Sequence, residues 1–128
     1  MYILNFSHPI NQQQLKQIEA LLAPQKVTET INYRTYFNPM ISFADQLDEL
    51  WEQNAISKED LQTLPFLINL PSHNAIAATL LAHLHGIMGY FPAVIRLRPV
   101  ENSTPLIFEV AEIINLQTLR DKARNIRA

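Results

Sequence analysis

Cysteine is absent from the 128 residues, which removes disulfides, thiol nucleophiles and Cys-type zinc sites together. Glycine occurs only at Gly86 and Gly89. No glycine-rich turn follows any apolar run, so the dinucleotide fingerprint and the phosphate loop are both missing. Kinase-like, dehydrogenase-like and phosphate-loop NTPase chemistry is thereby disfavoured. No apolar run approaches the roughly 18 residues needed to span a bilayer. The opening Met1-Tyr2-Ile3-Leu4-Asn5 also lacks a charged region before its apolar residues. A soluble cytoplasmic protein with no membrane association is the expectation. Basic excess is missing too: 10 Lys and Arg stand against 12 Asp and Glu, a formal charge of −2. General nucleic-acid binders carry basic surface, because phosphate contacts supply most of their non-specific affinity. A nucleotide bound by this chain would therefore sit in a local pocket with few cations. The charge is also uneven, with six basic and eleven acidic residues through Glu112 and four basic against one acidic from Arg120 to Arg127.

The length suits a single domain over residues 1–128, able to bury roughly two-thirds of its unfolded surface. Tyr2 to Phe6 and Pro65 to Leu70 read as short buried strands. Val27, Ile31, Tyr33 and Phe37 share one parity and predict a strand from Val27 to Phe37. Helical spacing marks Asn11 to Leu22, which Pro24 ends. A second helix carries Phe43, Leu47, Leu50 and Trp51, and Ser57-Lys58-Glu59-Asp60 is a capping sequence for a further turn. Either His73 or Asn74 opens a long helix with Ile76, Ala77, Leu80, Leu81, Leu84, Ile87 and Met88 inward, stopped by Gly89. Ala93 to Arg98 and Leu106 to Ile114 are strands around a proline-containing loop, and a basic helix starts near Leu116. Strands alternating with helices imply parallel pairing, and the last two strands imply an antiparallel hairpin. The fold class is α/β: a Rossmann-like domain of about five strands, mostly parallel, with helices on both faces.

Two apolar runs stop at the same small polar group: Leu4-Asn5-Phe6-Ser7-His8-Pro9 and Ile68-Asn69-Leu70-Pro71-Ser72-His73-Asn74. Each stop leads into a helix, so these residues fall at strand-to-helix turns. In open α/β sheets such turns lie at the carboxyl ends of the strands, where ligands bind. Asn5, Ser7, Asn69, Ser72 and Asn74 are thus candidate ligand-binding residues, with His8 and His73 the candidate catalytic pair. The alternative is that Ser7 and Ser72 cap helices and the histidines are ordinary turn residues.

Arg98, at the end of its strand, is a candidate phosphate ligand, since arginine pairs bidentately with phosphate. Pairing of Arg96 and Arg98 with Glu109 or Glu112 is the structural alternative. Asn115 ends the last strand and either caps the terminal helix or offers its amide to an adenine edge. His83 and His85 lie about 200° apart on a helix and do not form a metal pair. Asp45, Asp48, Glu49 and Glu52 form a solvated acidic face, and Trp51 reads as core. No Ser/His/Asp arrangement follows from spacing. No metal and no cofactor is expected.

The opening Asn5-Phe6-Ser7-His8-Pro9, the run Leu84-His85-Gly86-Ile87-Met88-Gly89-Tyr90-Phe91-Pro92, the strand Val94-Ile95-Arg96-Leu97-Arg98-Pro99 and the ending Glu109-Val110-Ala111-Glu112-Ile113-Ile114-Asn115-Leu116-Gln117 can be taken together. They resemble a small family of CRISPR-associated proteins that accompany type III systems. The likeness covers nearly the whole chain, is strongest from Leu61 to Arg124, and is weakest between Val27 and Asp45. It implies a CARF-like relative of the sensor domains that bind cyclic oligoadenylates, the second messengers of type III antiviral defence. Small relatives of that kind act as ring nucleases or as sinks, and cyclic tetra-adenylate is the implied ligand. Its internal symmetry suits a homodimer, and an apolar hairpin edge leaves room for a longer array. Cleavage, where it occurs, would follow a metal-independent route: attack by the ribose 2′-hydroxyl, with His8 or His73 assisting proton transfer. The competing expectation is a non-enzymatic protein-interaction module on an α/β scaffold.

Overall fold

Alternation along the first apolar run sends Ile3 to one side and Leu4 to the other, and the third run does the same with Leu67 and Ile68. The computed structural model, which describes residues 1–127, builds both runs into one sheet. Its strands are β1 (Tyr2–Asn5), β2 (Glu29–Asn32), β3 (Phe66–Asn69), β4 (Ala93–Pro99) and β5 (Phe108–Asn115), in the order β2-β1-β3-β4-β5. The first four run parallel, and β5 returns antiparallel on β4. The α/β class, the five strands and the closing hairpin are as the sequence pattern predicts. Among the described residues no helix is long and apolar enough to cross a membrane.

Each face of the sheet has its own core. Helix α1 (Gln12–Leu22) lays Leu15, Ile18 and Leu22 over Ile3, Leu67 and Ile95. On the other face lie α2 (Leu47–Trp51), α3 (Lys58–Thr63) and α4 (Asn74–Met88), over Leu4, Phe6, Ile68 and Val94. Leu80 and Leu84 of α4 are fully buried, each contributing about 1.5–3 kcal/mol of apolar transfer. Gly89 ends α4 at φ 83°, and its N–H reaches the His85 carbonyl at 2.9 Å. That left-handed conformation is costly for a side-chain-bearing residue and free for glycine. The terminal helix α5 (Leu116–Ile126) buries none of its residues, and Leu119 and Ile126 are exposed.

Two strands differ from the pattern. The run predicted from Val27 to Phe37 pairs only over Glu29–Asn32, because its partner β1 is just four residues long. Beyond Asn32 the chain leaves the sheet but keeps its parity, burying Tyr33 and Phe37 in the same core as Ile31. The second difference is a bulge in the hairpin: Arg96 faces Glu112, whereas Leu97 faces Val110. Glu109 and Glu112 are three apart and would point to opposite sides of a regular strand. The extra residue brings both opposite arginines of one parity, giving the pairs Arg96–Glu112 at 2.7 Å and Arg98–Glu109 at 3.0 Å.

His83 and His85 part company as their rotation requires. The His85 ring packs on Phe91, whereas His83 Nε2 accepts the Trp51 indole N–H at 2.9 Å. Trp51 is half-buried and also meets Phe6 and Tyr33 edge to face. Burial lowers the His83 pKa below its ordinary value near 6.5; Asp48 opposes this and Lys58 adds to it. Between the unfolded and the lower folded value, the unfolded chain binds more protons. The stabilisation is therefore present above pH 6.5 and lost as pH falls through the folded-state value. We predict that the urea midpoint, read by the single tryptophan, drops between about pH 7.5 and about pH 5.5. His83→Gln, which keeps an acceptor but does not titrate, should flatten that drop; an equal drop in both proteins would remove His83 as its source.

Candidate functional site

Three parallel strands end on asparagine at one level, since Asn5 pairs in register with both Asn32 and Asn69. Their amides form a ladder across the carboxyl edge of the sheet. Asn69 Nδ2 donates to Asn5 Oδ1 at 2.9 Å, and Asn5 Nδ2 donates to Asn32 Oδ1 at 2.9 Å. Asn5 also gives its second N–H to the His8 carbonyl at 3.0 Å and accepts from the Ser7 N–H at 3.1 Å. Both donors and both lone pairs of its amide are thus occupied. Asn5 and Asn69 are 1% and 4% exposed. Both lie inside the ladder, where Asn69 braces Asn5 and Asn5 holds the turn that presents Ser7 and His8.

Above the ladder the two serine–histidine corners meet in one cleft of about 390 Å³, lined by Ser7, His8, Ser72 and His73. Capping does not claim the serines. Asn11 caps α1 through a reciprocal pair with Gln14, and His73 caps α4 by accepting the Ile76 N–H on Nδ1 at 3.4 Å. Among the described residues neither serine hydroxyl has a protein partner. The cap leaves the neutral His73 ring with its proton on Nε2. The ring also stands edge-on to Phe43, 5.5 Å between centroids. The 15-residue α4 starts at this cleft, directing the positive end of its dipole there.

The loop after β2 supplies residues that sequence reasoning did not single out. Tyr33, Arg34, Thr35 and Tyr36 complete the cleft. A second lobe of about 470 Å³ lies behind Ser7, Tyr33 and Arg34, with Asn32, Pro9 and Gln53 on its far side. Gln53 fixes this loop by accepting the Arg34 N–H at 2.7 Å and donating to the Arg34 carbonyl at 2.8 Å. Among the described residues the Arg34 guanidinium makes no ion pair. No carboxylate lines either lobe. Tyr33 is 4% exposed, its hydroxyl has no partner, and burial pushes its pKa up to about 12; it stays protonated at any ordinary pH. Among the described residues no cluster of three metal-ligating side chains occurs.

Two candidates lie elsewhere. Arg98 sits roughly 10 Å past Asn69 along the strand direction, paired with Glu109 in a separate hollow with Pro99, Val100 and Glu101. The hairpin carries it beyond the cleft, so it is a cross-strand partner. Asn115 pairs with Ala93 and therefore lies at the opposite, amino edge of the parallel strands. There it caps α5, accepting the Thr118 N–H at 3.0 Å. Asn74 is exposed at the first position of α4 and does not line the cleft.

The ladder makes a direct prediction. Asn5→Asp keeps the shape but replaces two donated hydrogen bonds by lone pairs facing acceptors. It should cost about 1–3 kcal/mol, a fall of roughly 4–12 °C in Tm for a domain of this size. Calorimetry on the two proteins checks this, and an unchanged Tm would show that the ladder carries no stability. No family model, no curated protein and no solved structure matches this chain.

Proposed function

We propose that the chain binds a cyclic oligoadenylate, with cyclic tetra-adenylate the ligand that the sequence resemblance favours, and lowers its free level. The observation that carries this reading is the convergence of two serine–histidine corners and the unpaired Arg34 on one carboxylate-free cleft. That cleft lies at the carboxyl edge of a parallel sheet, the usual ligand position in such folds. Hydroxyls, imidazoles, a guanidinium and a helix N-terminus are all groups that receive phosphate oxygens.

Size favours two copies acting together. Lobes of about 390 and 470 Å³ fall at the small end of ligand pockets. They suit part of a four-nucleotide ring and not the whole. A two-fold dimer presents the same cleft twice to a ring that repeats every half turn, and doubles the Arg34 contact.

Sequestration needs no more than this. Cleavage would add in-line attack of a ribose 2′-oxygen on its own phosphorus, with the bond to the 5′-oxygen breaking. His8 would take the hydroxyl proton and the Nε2–H of His73 would protonate the leaving oxygen, or the reverse. The products are a linear strand with a 2′,3′-cyclic phosphate and a 5′-hydroxyl. The interaction-module alternative draws on α5, whose exposed Leu119 and Ile126 lie among Arg120, Lys122 and Arg124.

Thermal shift with cyclic and linear oligoadenylates separates these readings. The expected result is stabilisation by cyclic tetra-adenylate; indifference to every ring size would leave the module. Arg34→Ala should weaken ring binding roughly 10- to 100-fold, whereas Arg98→Ala should leave it unchanged. Recovery of the ring after long incubation with excess protein and a chelator tests the chemistry. Conversion to the cyclic-phosphate strand is expected if the histidines act, with His8→Ala slowing it; intact ring identifies a pure sink.

A further inference from the structure

The two lobes share a wall, and the wall carries the cation. Ser7, Tyr33 and Arg34 line both lobes. We infer, resting on the proposed function, that each cleft seats one dinucleotide step: the phosphodiester over Arg34, one nucleoside in each lobe, and Asn32 selecting adenine in the second.

The assignment follows from what each lobe offers. A phosphodiester lies between two nucleosides, as Arg34 lies between two lobes. The Gln53 amide clamps the Arg34 backbone from both sides, so the guanidinium starts from a fixed stem. The first lobe carries Tyr36, a ring 92% exposed, and a solvent-facing aromatic is a platform on which any base can stack. The second lobe carries Asn32, whose amide orientation is set by the ladder. Its Oδ1 accepts from Asn5 at 2.9 Å, which turns Nδ2 the other way. Among the described residues Nδ2 has no partner, and Oδ1 keeps a second lone pair. One free donor beside one free acceptor matches the N7 and N6–H₂ of adenine, whereas the same edge of guanine offers two acceptors, N7 and O6.

The ladder thereby acquires a second consequence. Asn69 orients Asn5, and Asn5 orients Asn32. A reading amide held this way gives up little freedom on binding. Asn32 contacts the base; Asn5 is a positioning residue.

The test compares the linear dinucleotides ApA and GpG on the full chain, alongside cyclic tetra-adenylate. Wild type should prefer ApA to GpG. Asn32→Ala should reduce that preference by roughly 5- to 100-fold. Asn32→Asp keeps the acceptor that Asn5 needs but exchanges the N–H for a charged oxygen, so it should lose the preference and also weaken both dinucleotides. Tyr36→Ala should weaken ApA and GpG alike, by roughly tenfold. If wild type binds the ring and both Asn32 variants keep the ApA preference, the dinucleotide assignment fails while the binding function stands. If wild type binds no adenylate at all, both fail.

Discussion

The amide of Asn5 is the constraint on which the carboxyl edge of this sheet depends. It is nearly inaccessible to solvent, and each of its four hydrogen-bonding positions is taken by a different neighbour: Ser7, His8, Asn32 and Asn69. Parallel strands as short as four residues make few ladder bonds of their own. A side-chain ladder reinforces the pairing at the level where the last backbone bonds, from the Phe6 and Tyr33 N–H groups to the Asn69 and Asn5 carbonyls, close the sheet. It also turns the chain, since the Ser7 N–H and the His8 carbonyl are bound back to the residue that ends the strand. A glycine-rich loop achieves a tight turn through backbone freedom. Here an asparagine achieves it through side-chain bonds, which explains how a chain with two glycines can still present a strand-to-helix corner.

The same device recurs wherever backbone would otherwise be left open. Gln14 and Gln17 of α1 bond the Phe108 carbonyl and the Val110 N–H of β5. Asn54 donates to the Asn32 carbonyl, and Gln46 gathers the carbonyls of Asn38, Ile41 and Ser42. Amide side chains thus cover part of the β5 edge and the last carbonyl of β2, a use that satisfies their donors and acceptors and blunts the β5 edge against a stray strand. The loops around the cleft gain fixed positions from side chains on neighbouring helices. Their order comes from tertiary contacts rather than from local propensity.

Much of this was legible in the chain. Apolar runs of fixed length, helical spacing and capping boxes gave the alternating elements, and the repeated Asn–Ser–His ending located the cleft. Where the sequence leaves two readings open, register decides between them. Register is invisible in sequence: the hairpin overruns its neighbour by several residues, and Arg98 takes its pairing with Glu109. An antiparallel strand ends at the other edge, so Asn115 takes its alternative as the cap of α5. Arg34 and Asn32 escape notice because the parity from Val27 to Phe37 persists after the strand has ended. The signal was nevertheless present: Ile31-Asn32 repeats the apolar–asparagine ending of Leu4-Asn5 and Ile68-Asn69. It lacks only the serine and histidine that drew attention to the other two.

A chain of charge −2 is an unpromising host for a polyanion by net charge alone. Net charge is the wrong measure at this distance. At physiological salt the screening length is about 8 Å, and no carboxylate lines the cleft, although Glu49 of α2 shares a neighbouring hollow with Arg34 and Tyr36. What counts is local: one guanidinium per copy, a helix dipole, and hydroxyls left free because Asn11 and His73 do the capping. Each such contact is modest, but the groups that make them are already held in place by the ladder and by Gln53. Binding then spends little on ordering the protein. In the proposed reading, an anion site assembled from prepositioned dipoles with few mobile cations would favour a small ring over ordinary RNA, whose non-specific affinity rests on an extended basic surface that this chain lacks.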